Sequence, residues 1–254
     1  MFRALRIFVL VLILIGVAWA TWSTKVRSTS WENALRVGVF PIAADGSPAT
    51  QRYVRTLSAD TYRPIAEFMQ QEAGRYRLAL AAPVEIYLGS EINAVPPLPP
   101  SGGNVLQVML WSLQMRFWAW TNAKLQPKPH VRIFVLYHDP ERVTRVAHSL
   151  GLQKGLLGVV NAFASEGQAA ENNIVIAHEL LHTVGATDKY DPRTNQPTYP
   201  EGFGDPEREP RFPQDFAELM AGRLAVSETE AEMPRDLAHV LIGPTTAREI
   251  NWVK

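Results

Sequence analysis

The chain has 254 residues, of which 46% are hydrophobic and 20% are charged, so it is large enough for one domain with a full hydrophobic core. Basic and acidic residues number 25 each, and this balance offers no broad basic surface for nucleic acid. The absence of cysteine excludes disulfides, thiolate metal sites and cysteine nucleophiles. A metal site in this chain would have to use His, Asp, Glu, Tyr or water.

The N-terminal segment has the pattern of an export signal. Arg3 and Arg6 precede an apolar run over residues 7–22. We interpret residues 1–22 either as a signal peptide that is cleaved near Ala20 or as a signal anchor that stays in an inner membrane. Because the arginines favour a cytoplasmic N-terminus, both interpretations place the rest of the chain in the periplasm or the extracellular space.

After a polar connector over residues 23–34, residues 35–254 are predicted to form a single domain. Strand-like and helix-like runs alternate along it, and this order predicts an α/β (α+β) fold with one mixed sheet and helices packed on it. The strand-like runs are 35–42, 83–92, 130–139 and 155–165. The helix-like runs are 50–77 with a kink or break at Pro64, 104–125, 141–151 and 173–186. The run 130–139 is nearly all apolar, which indicates a central strand.

The helix predicted after Asn104, a plausible N-cap, carries Trp111, Trp118 and Trp120. These tryptophans could form an aromatic binding stripe or pack against the sheet, and the large area that such side chains bury favours packing. Polar residues interrupt the run, so we do not interpret it as a second membrane span.

The most informative stretch is HELLH, with His178 and His182 four residues apart and Glu179 between them. On a helix, residues four apart lie on one face, so both imidazoles can bind a single metal ion. Zinc with three protein ligands keeps an open position for a water and makes that water more acidic. Glu179 can then take the proton of the water and pass it to a leaving amine.

The third ligand has two candidates. Gly185 can end the helix in a left-handed turn, and the chain can then return to deliver Asp188, six residues after His182. Glu218 is the rival, because it lies in a stretch compatible with a later helix. We favour Asp188, since the turn at Gly185 then has a purpose, and Glu218 could support a histidine by a hydrogen bond.

Together these residues form HExxHxxGxxD, followed by Lys189 and Tyr190, and the segment 216–223 reads FAELMAGR. The two motifs resemble those of the metzincin zinc peptidases, in particular snapalysin and the bacterial secreted peptidases of the immune inhibitor A type. The resemblance covers residues 172–224. It departs from those families at Thr187, where they usually have proline.

The resemblance implies a metzincin-like sandwich with Met220 as an apolar floor under the metal ligands. It also implies that Tyr190 assists by hydrogen bonding to the tetrahedral intermediate, although Tyr190 could instead anchor its loop by packing. Lys189 is expected to be solvated.

The sequence therefore predicts an exported zinc-dependent metallopeptidase, an endopeptidase acting on peptides or proteins, with Glu179 as general base. The alternative is a metal-binding, catalytically inactive peptidase-like module that recognises a protein partner. In the first case we expect the substrate to lie extended along an edge strand, for which residues 155–165 are the candidate because they precede the motif helix.

Overall fold

The structure, a computed structural model, describes residues 28–253 apart from 101, 103 and 154, and a few isolated positions closer to the N-terminus (6, 8, 11, 12 and 16). The interpretation of residues 1–22 as a signal peptide or anchor therefore falls outside the described residues. Among the helices that are described, none has both the length and the apolar character needed to cross a membrane.

Five strands form the main sheet: β1 (Leu35–Ala43), β2 (Val84–Leu88), β3 (Val131–His138), β4 (Leu150–Leu152) and β5 (Leu157–Phe163). The α-helices are α1 (Pro48–Thr56), α2 (Ala59–Arg75), α3 (Val105–Asn122), α4 (Ala169–Val184) and α5 (Pro244–Glu249). Short strands follow α4: β6 (Tyr190–Asp191), β7 (Gln196–Pro197), β8 (Ala217–Glu218), β9 (Leu224–Ala225), β10 (Ala231–Glu232) and β11 (Val240–Leu241). They pair as β6 with β7, β8 with β11 and β9 with β10.

The sheet has the order β2-β1-β3-β5-β4. Its first four strands run parallel, and β4 pairs antiparallel with β5. The predicted mixed α/β architecture is confirmed, and the run 130–139 does supply the central strand, which is buried along most of its length. The connections from β1 to β2 and from β2 to β3 contain helices, which explains the alternation of strand and helix patterns in that part of the sequence.

The prediction that residues 155–165 form the edge strand beside the motif helix is wrong. β5 lies between β3 and β4, so the edge of the sheet belongs to β4. Residues 141–151 were expected to be a short helix, but they form turns and an irregular loop that leads into β4. A three-residue strand has too little sequence pattern to reveal itself, because what holds it is its pairing with Gly158 and its neighbours.

Helices cover both faces of the sheet. Alternate residues of β1 and β3, such as Val37 and Ile133, face α1, α2 and α4 in one hydrophobic core. The residues between them, such as Phe40 and Phe134, face the other way, where α3 contributes Met115 and Ala119 to a second core. The motif helix α4 and the tryptophan-bearing helix α3 therefore pack on opposite faces of one sheet.

Two local expectations are corrected. The helix break predicted at Pro64 falls instead between α1 and α2, where the Ser58 N–H donates to Thr61 Oγ1 at 3.2 Å and starts a new helix. Pro64 lies inside α2 at an exposed position. In the predicted connector, Trp31 is buried, donates its indole N–H to the Ile250 carbonyl at 2.6 Å and packs on Trp252. The packed body thus begins before β1.

Helix α3 begins as predicted, with Asn104 Oδ1 accepting the Gln107 N–H at 3.0 Å. Trp111 is buried, and the Trp118 ring meets the Phe134 ring edge-on at 4.8 Å. Trp111 donates its indole N–H to the Pro97 carbonyl, in the loop before α3, at 2.9 Å. Packing against the sheet is therefore confirmed for Trp118. It is wrong for Trp120, whose surface is 71% exposed.

Candidate metal centre and active site

Helix α4 brings the two motif histidines together. Its buried apolar residues, among them Ile176, Leu180 and Leu181, fix the helix against the sheet. With that orientation set, His178 and His182 lie one turn apart on the same face, as their spacing predicts. Their rings stand edge to face with centroids 4.7 Å apart, and their Nε2 atoms are 3.0 Å apart.

The predicted turn after the motif is confirmed. Gly185 has φ +115, a left-handed conformation that glycine adopts without a steric penalty. The N–H groups of Gly185 and Ala186 both donate to the Leu181 carbonyl, at 3.1 and 3.0 Å, and so close the end of α4. The chain then reverses and delivers Asp188, whose Oδ1 lies 3.1 Å from His178 Nε2 and 3.0 Å from His182 Nε2.

The contacts of the other ring nitrogens, Nδ1, determine whether the two Nε2 atoms carry a proton. His178 Nδ1 lies 2.9 Å from the Leu219 carbonyl, and His182 Nδ1 lies 2.9 Å from the Ala186 carbonyl. A carbonyl oxygen only accepts, so each Nδ1 must carry the proton and donate it. In the neutral rings, each Nε2 is then unprotonated, and its lone pair faces the Asp188 carboxylate.

Three lone-pair atoms that face one another repel unless a proton or a cation lies between them. Ligand atoms of one tetrahedral zinc ion, each ~2.0–2.2 Å from the metal, are separated by roughly 3.3 Å. The separations of 3.0 and 3.1 Å between Asp188 and the two histidines come within a few tenths of an ångström of that value. These residues therefore fit a metal ion, and the carbonyls hold both imidazoles in the tautomer that a metal requires.

The electrostatics of the metal-free polypeptide agree with this geometry. Burial raises the pKa of Asp188, but hydrogen bonds from His178 and His182 outweigh it and hold the pKa below its usual range. Burial lowers the pKa of His182, but hydrogen bonds to Asp188 and the Ala186 carbonyl, together with the charges of Glu179 and Asp188, outweigh burial, so that the net shift is upward. A proton shared with Asp188 thus offsets the repulsion, and a metal ion would displace it.

Glu218, the rival third ligand, is not brought to the histidines. It lies in β8 rather than in a helix, and it is fully buried. One carboxylate oxygen accepts the N–H groups of Met220 and Ala221 at 2.6 and 3.0 Å. The other accepts the Gly243 N–H at 3.0 Å and the Thr246 hydroxyl at 2.7 Å. The carboxylate is therefore committed to these four donors.

Glu218 nevertheless supports the site, because it shapes the turn that follows it. Gly222 adopts a left-handed φ of +69 and returns its N–H to the Glu218 carbonyl at 3.1 Å. Within this turn Met220 is fully buried, and Leu219 offers its carbonyl to His178. The segment predicted as a methionine turn thus adjoins the histidines and orients one of them.

Glu179 also lies beside the histidines, but its carboxylate is in a different environment from that of Glu218. It is 5% exposed, and a carboxylate oxygen lies within 4.8 Å of the histidine nitrogens. Its Oε2 is buried and has no hydrogen-bond partner among the described residues. Burial raises the pKa of this carboxyl, although the neighbouring histidines lower it in part. An unpartnered buried carboxylate is costly, and such groups are found at sites of proton transfer.

Gly151 was not recognised from the sequence. A Cβ on this residue would lie 2.4 Å from His182 Cβ and 2.9 Å from Glu179 Oε2. Strand β4 therefore lies directly on α4, and only glycine allows so close an approach. No local signal identifies Gly151, since its requirement comes from a helix about thirty residues further along the chain.

Tyr190 also reaches the site, with its ring centroid 6.4 Å from that of His178. Burial, and next the charges of Asp188 and Glu179, raise its pKa, so the phenol keeps its proton and can donate a hydrogen bond. Lys189 was expected to be solvated but is buried, and its ammonium lies 2.8 Å from the Glu249 carboxylate.

A cavity of ≈ 340 Å³ opens beside His178, Glu179 and Tyr190. Its further lining comes from the loop before β4, from β5, from α4, from the turn between β6 and β7, and from the turn after Met220 with the segment behind it. The lining includes Arg145, His148, Ser149, Asn161, Val175, Arg223 and Met233. The cavity therefore combines apolar walls with two guanidinium groups, neither of which the sequence pattern identified.

Comparison with models of known protein families gives no match to this chain, and comparison with curated proteins gives no significant match. The chemistry of the site must therefore carry the assignment of function.

Proposed function

We propose that this protein is a zinc-dependent metallopeptidase in which His178, His182 and Asp188 hold the metal ion. The observation that carries the proposal is the convergence of two imidazole lone pairs and a carboxylate oxygen within 3.0–3.1 Å of one another. Nitrogen and oxygen ligands without cysteine suit zinc. When bound, the zinc ion would make a water more acidic and polarise the carbonyl of a scissile peptide bond.

Glu179 is the general base in this proposal. Its Oε2 is buried, unpartnered and beside the ligand atoms, so it can accept the proton of the attacking water. The same oxygen then passes that proton to the amine that leaves. Because burial raises the pKa of this carboxyl, it holds the proton between these two steps better than an exposed glutamate would.

Tyr190 and strand β4 position the substrate. The Tyr190 hydroxyl keeps its proton and donates to the oxygen that becomes negative as the carbonyl is attacked. β4 stands at the edge of the sheet next to α4, so an extended peptide can pair with its free side. The adjacent cavity of ≈ 340 Å³ then receives a side chain that flanks the scissile bond.

The environment of Glu179 argues against an inactive binding module. A module that only recognises a partner gains nothing from a buried carboxylate oxygen without a hydrogen-bond partner, which destabilises the fold. The proposed location is the periplasm or the cell exterior, and it rests on the apolar run over residues 7–22 with its preceding arginines.

The test compares Glu179→Gln with Glu171→Gln, a matched change at an exposed position of the same helix. Glu179→Gln should keep the parental zinc content, because the three ligands remain, and should lower peptide hydrolysis by roughly 10²–10⁴-fold. Glu171→Gln should behave as the parent does. Cleavage of a generic protein substrate, with and without chelator, measures the loss. Parental cleavage by Glu179→Gln would refute the proposal.

In the same assay, Tyr190→Phe separates the two roles of that residue. Loss of a hydrogen bond that forms only in the transition state should lower kcat and leave KM unchanged. An unchanged kcat would assign Tyr190 to packing.

A further inference from the structure

Helix α3 presents a continuous apolar face to solvent. Six large apolar residues project from it, and at roughly 100° per residue they occupy an arc of about 100° around the helix axis. They are Leu106, Met109, Leu110, Leu113, Phe117 and Trp120, with exposed fractions from 58% to 75%. Leu98, in the loop before the helix, is 79% exposed. Isolated exposed apolar residues are ordinary, but a contiguous face of this kind indicates an interaction surface.

This face is not the one that holds α3 to the protein. Trp111, Met115 and Ala119 lie on the opposite side of the helix and are buried, and Met115 and Ala119 pack against the sheet. The core beneath α3 is therefore already complete, and the outward residues contribute nothing to it.

The charged residues in the segment that carries this face have a single sign. The chain has no Asp or Glu between Glu91 and Asp139. Within the same interval it has the exposed cations Arg116, Lys124 and Lys128. The chain as a whole has equal numbers of acidic and basic residues, so a basic, acid-free interval that includes the apolar face distinguishes this part of the molecule.

We propose that the outward face of α3 lies on an anionic phospholipid bilayer, with its leucines and Met109 in the acyl boundary and its basic residues at the headgroups. A helix in the plane of a membrane binds through its apolar area together with the attraction of Lys and Arg to anionic lipids. Aromatic side chains such as Phe117 and Trp120 favour the same interface. This inference does not depend on the proposed peptidase activity.

The start of the sheet lies next to the segment that follows this helix. A Cβ on Gly38 in β1 would lie 3.1 Å from both Leu125 and Pro129, just after α3. The apolar run 7–22 was interpreted as a signal peptide or a signal anchor, and residues 23–27, which span at most roughly 18 Å, separate it from the packed body. If that run stays in a membrane as an anchor, it keeps the whole domain close to the bilayer.

The test uses the full chain, reconstituted into vesicles of equal parts phosphatidylglycerol and phosphatidylcholine. The natural chain has no cysteine, so Leu113→Cys provides a unique site for an environment-sensitive fluorophore. Gln71→Cys is the matched control, because it is exposed on α2, on the opposite face of the sheet. We expect lipids with brominated acyl chains to quench the label at position 113 and to leave the label at position 71 unaffected.

The second part of the test changes the charge of the residues that follow α3. Replacing Lys124 and Lys128 with glutamate should lower the ratio of docked to undocked helix by on the order of fivefold for each lysine lost, and phosphatidylcholine vesicles should show no such difference. Equal quenching at positions 113 and 71 would overturn the proposal. So would a label at position 113 that becomes shielded as protein concentration rises but is not quenched by brominated lipid, since that result identifies a protein partner or a second copy.

Discussion

Helices α3 and α4 pack on opposite faces of one sheet and leave different groups uncompensated. On α4, each histidine Nδ1 has a carbonyl acceptor, and the atoms that remain converge on a single point beside Glu179. On α3, the buried side is packed, and an apolar side stays in water. We therefore proposed a cation for the converging lone pairs of α4 and a lipid surface for the apolar, basic face of α3. The groups that remain without partners after folding therefore indicate what each surface binds.

The largest expected effect concerns the point of convergence on α4. Asp188→Ala removes one of three proposed ligands, so zinc affinity should fall by more than roughly 100-fold, the upper end for losing only a supporting hydrogen bond. Asp191→Ala is the control, since that carboxylate pairs with Arg193 rather than with the histidines. Chelator competition measures both affinities.

Glu218→Gln separates the rival ligands in the same experiment. It should keep zinc but unfold at a lower denaturant concentration, because an amide nitrogen would face backbone N–H donors that the carboxylate now accepts. Zinc lost from Glu218→Gln and retained by Asp188→Ala would reverse the assignment.

The two sides of α3 provide the next comparison. Met115→Ala removes a fully buried side chain and should cost about 2–5 kcal/mol in the free energy of unfolding. Leu113→Ala, at a position 60% exposed, should change that free energy by less than about 0.5 kcal/mol. Denaturant titration of both variants checks the difference. A large loss for Leu113→Ala in the absence of lipid would mean that the outward face is covered by the protein itself.

A smaller effect should arise where β4 contacts α4. Gly151→Ala would force a methyl group against His182, which should cost about 1–3 kcal/mol in stability and displace Glu179 from its working position. Gly167→Ala is the matched control, because its new Cβ would meet nothing nearer than Ser165 Oγ at 3.7 Å. Thermal unfolding and peptide cleavage measure the two consequences. If both variants behave alike, β4 does not confine the site.

The sequence predicted those elements whose pattern is local. β3 is a continuous apolar run, and the histidine spacing on α4 is itself a helical signal, so both were predicted with useful boundaries. Gly185 was predicted to turn because its position after the motif requires a left-handed residue, and it does so.

What the sequence did not reveal depends on contacts between distant residues. β4 is held by pairing rather than by its own residues, and Gly151 matters only because α4 lies on it. Lys189 is buried because Glu249, sixty residues away, supplies its partner. On α3, apolar residues occupy both sides of the helix, so periodicity alone could not tell which side would be packed.

The C-terminal segment stabilises residues on either side of the site without contributing to the site itself. Thr246 and the Gly243 N–H meet Glu218, Glu249 binds Lys189 and Thr187, and Trp252 packs on Trp31. Trimming the chain by about a dozen residues would strip the partners from a buried carboxylate and a buried ammonium on either side of the histidines. A carboxypeptidase that removed α5 and the residues after it would thus disturb the proposed metal site without contacting His178, His182 or Asp188.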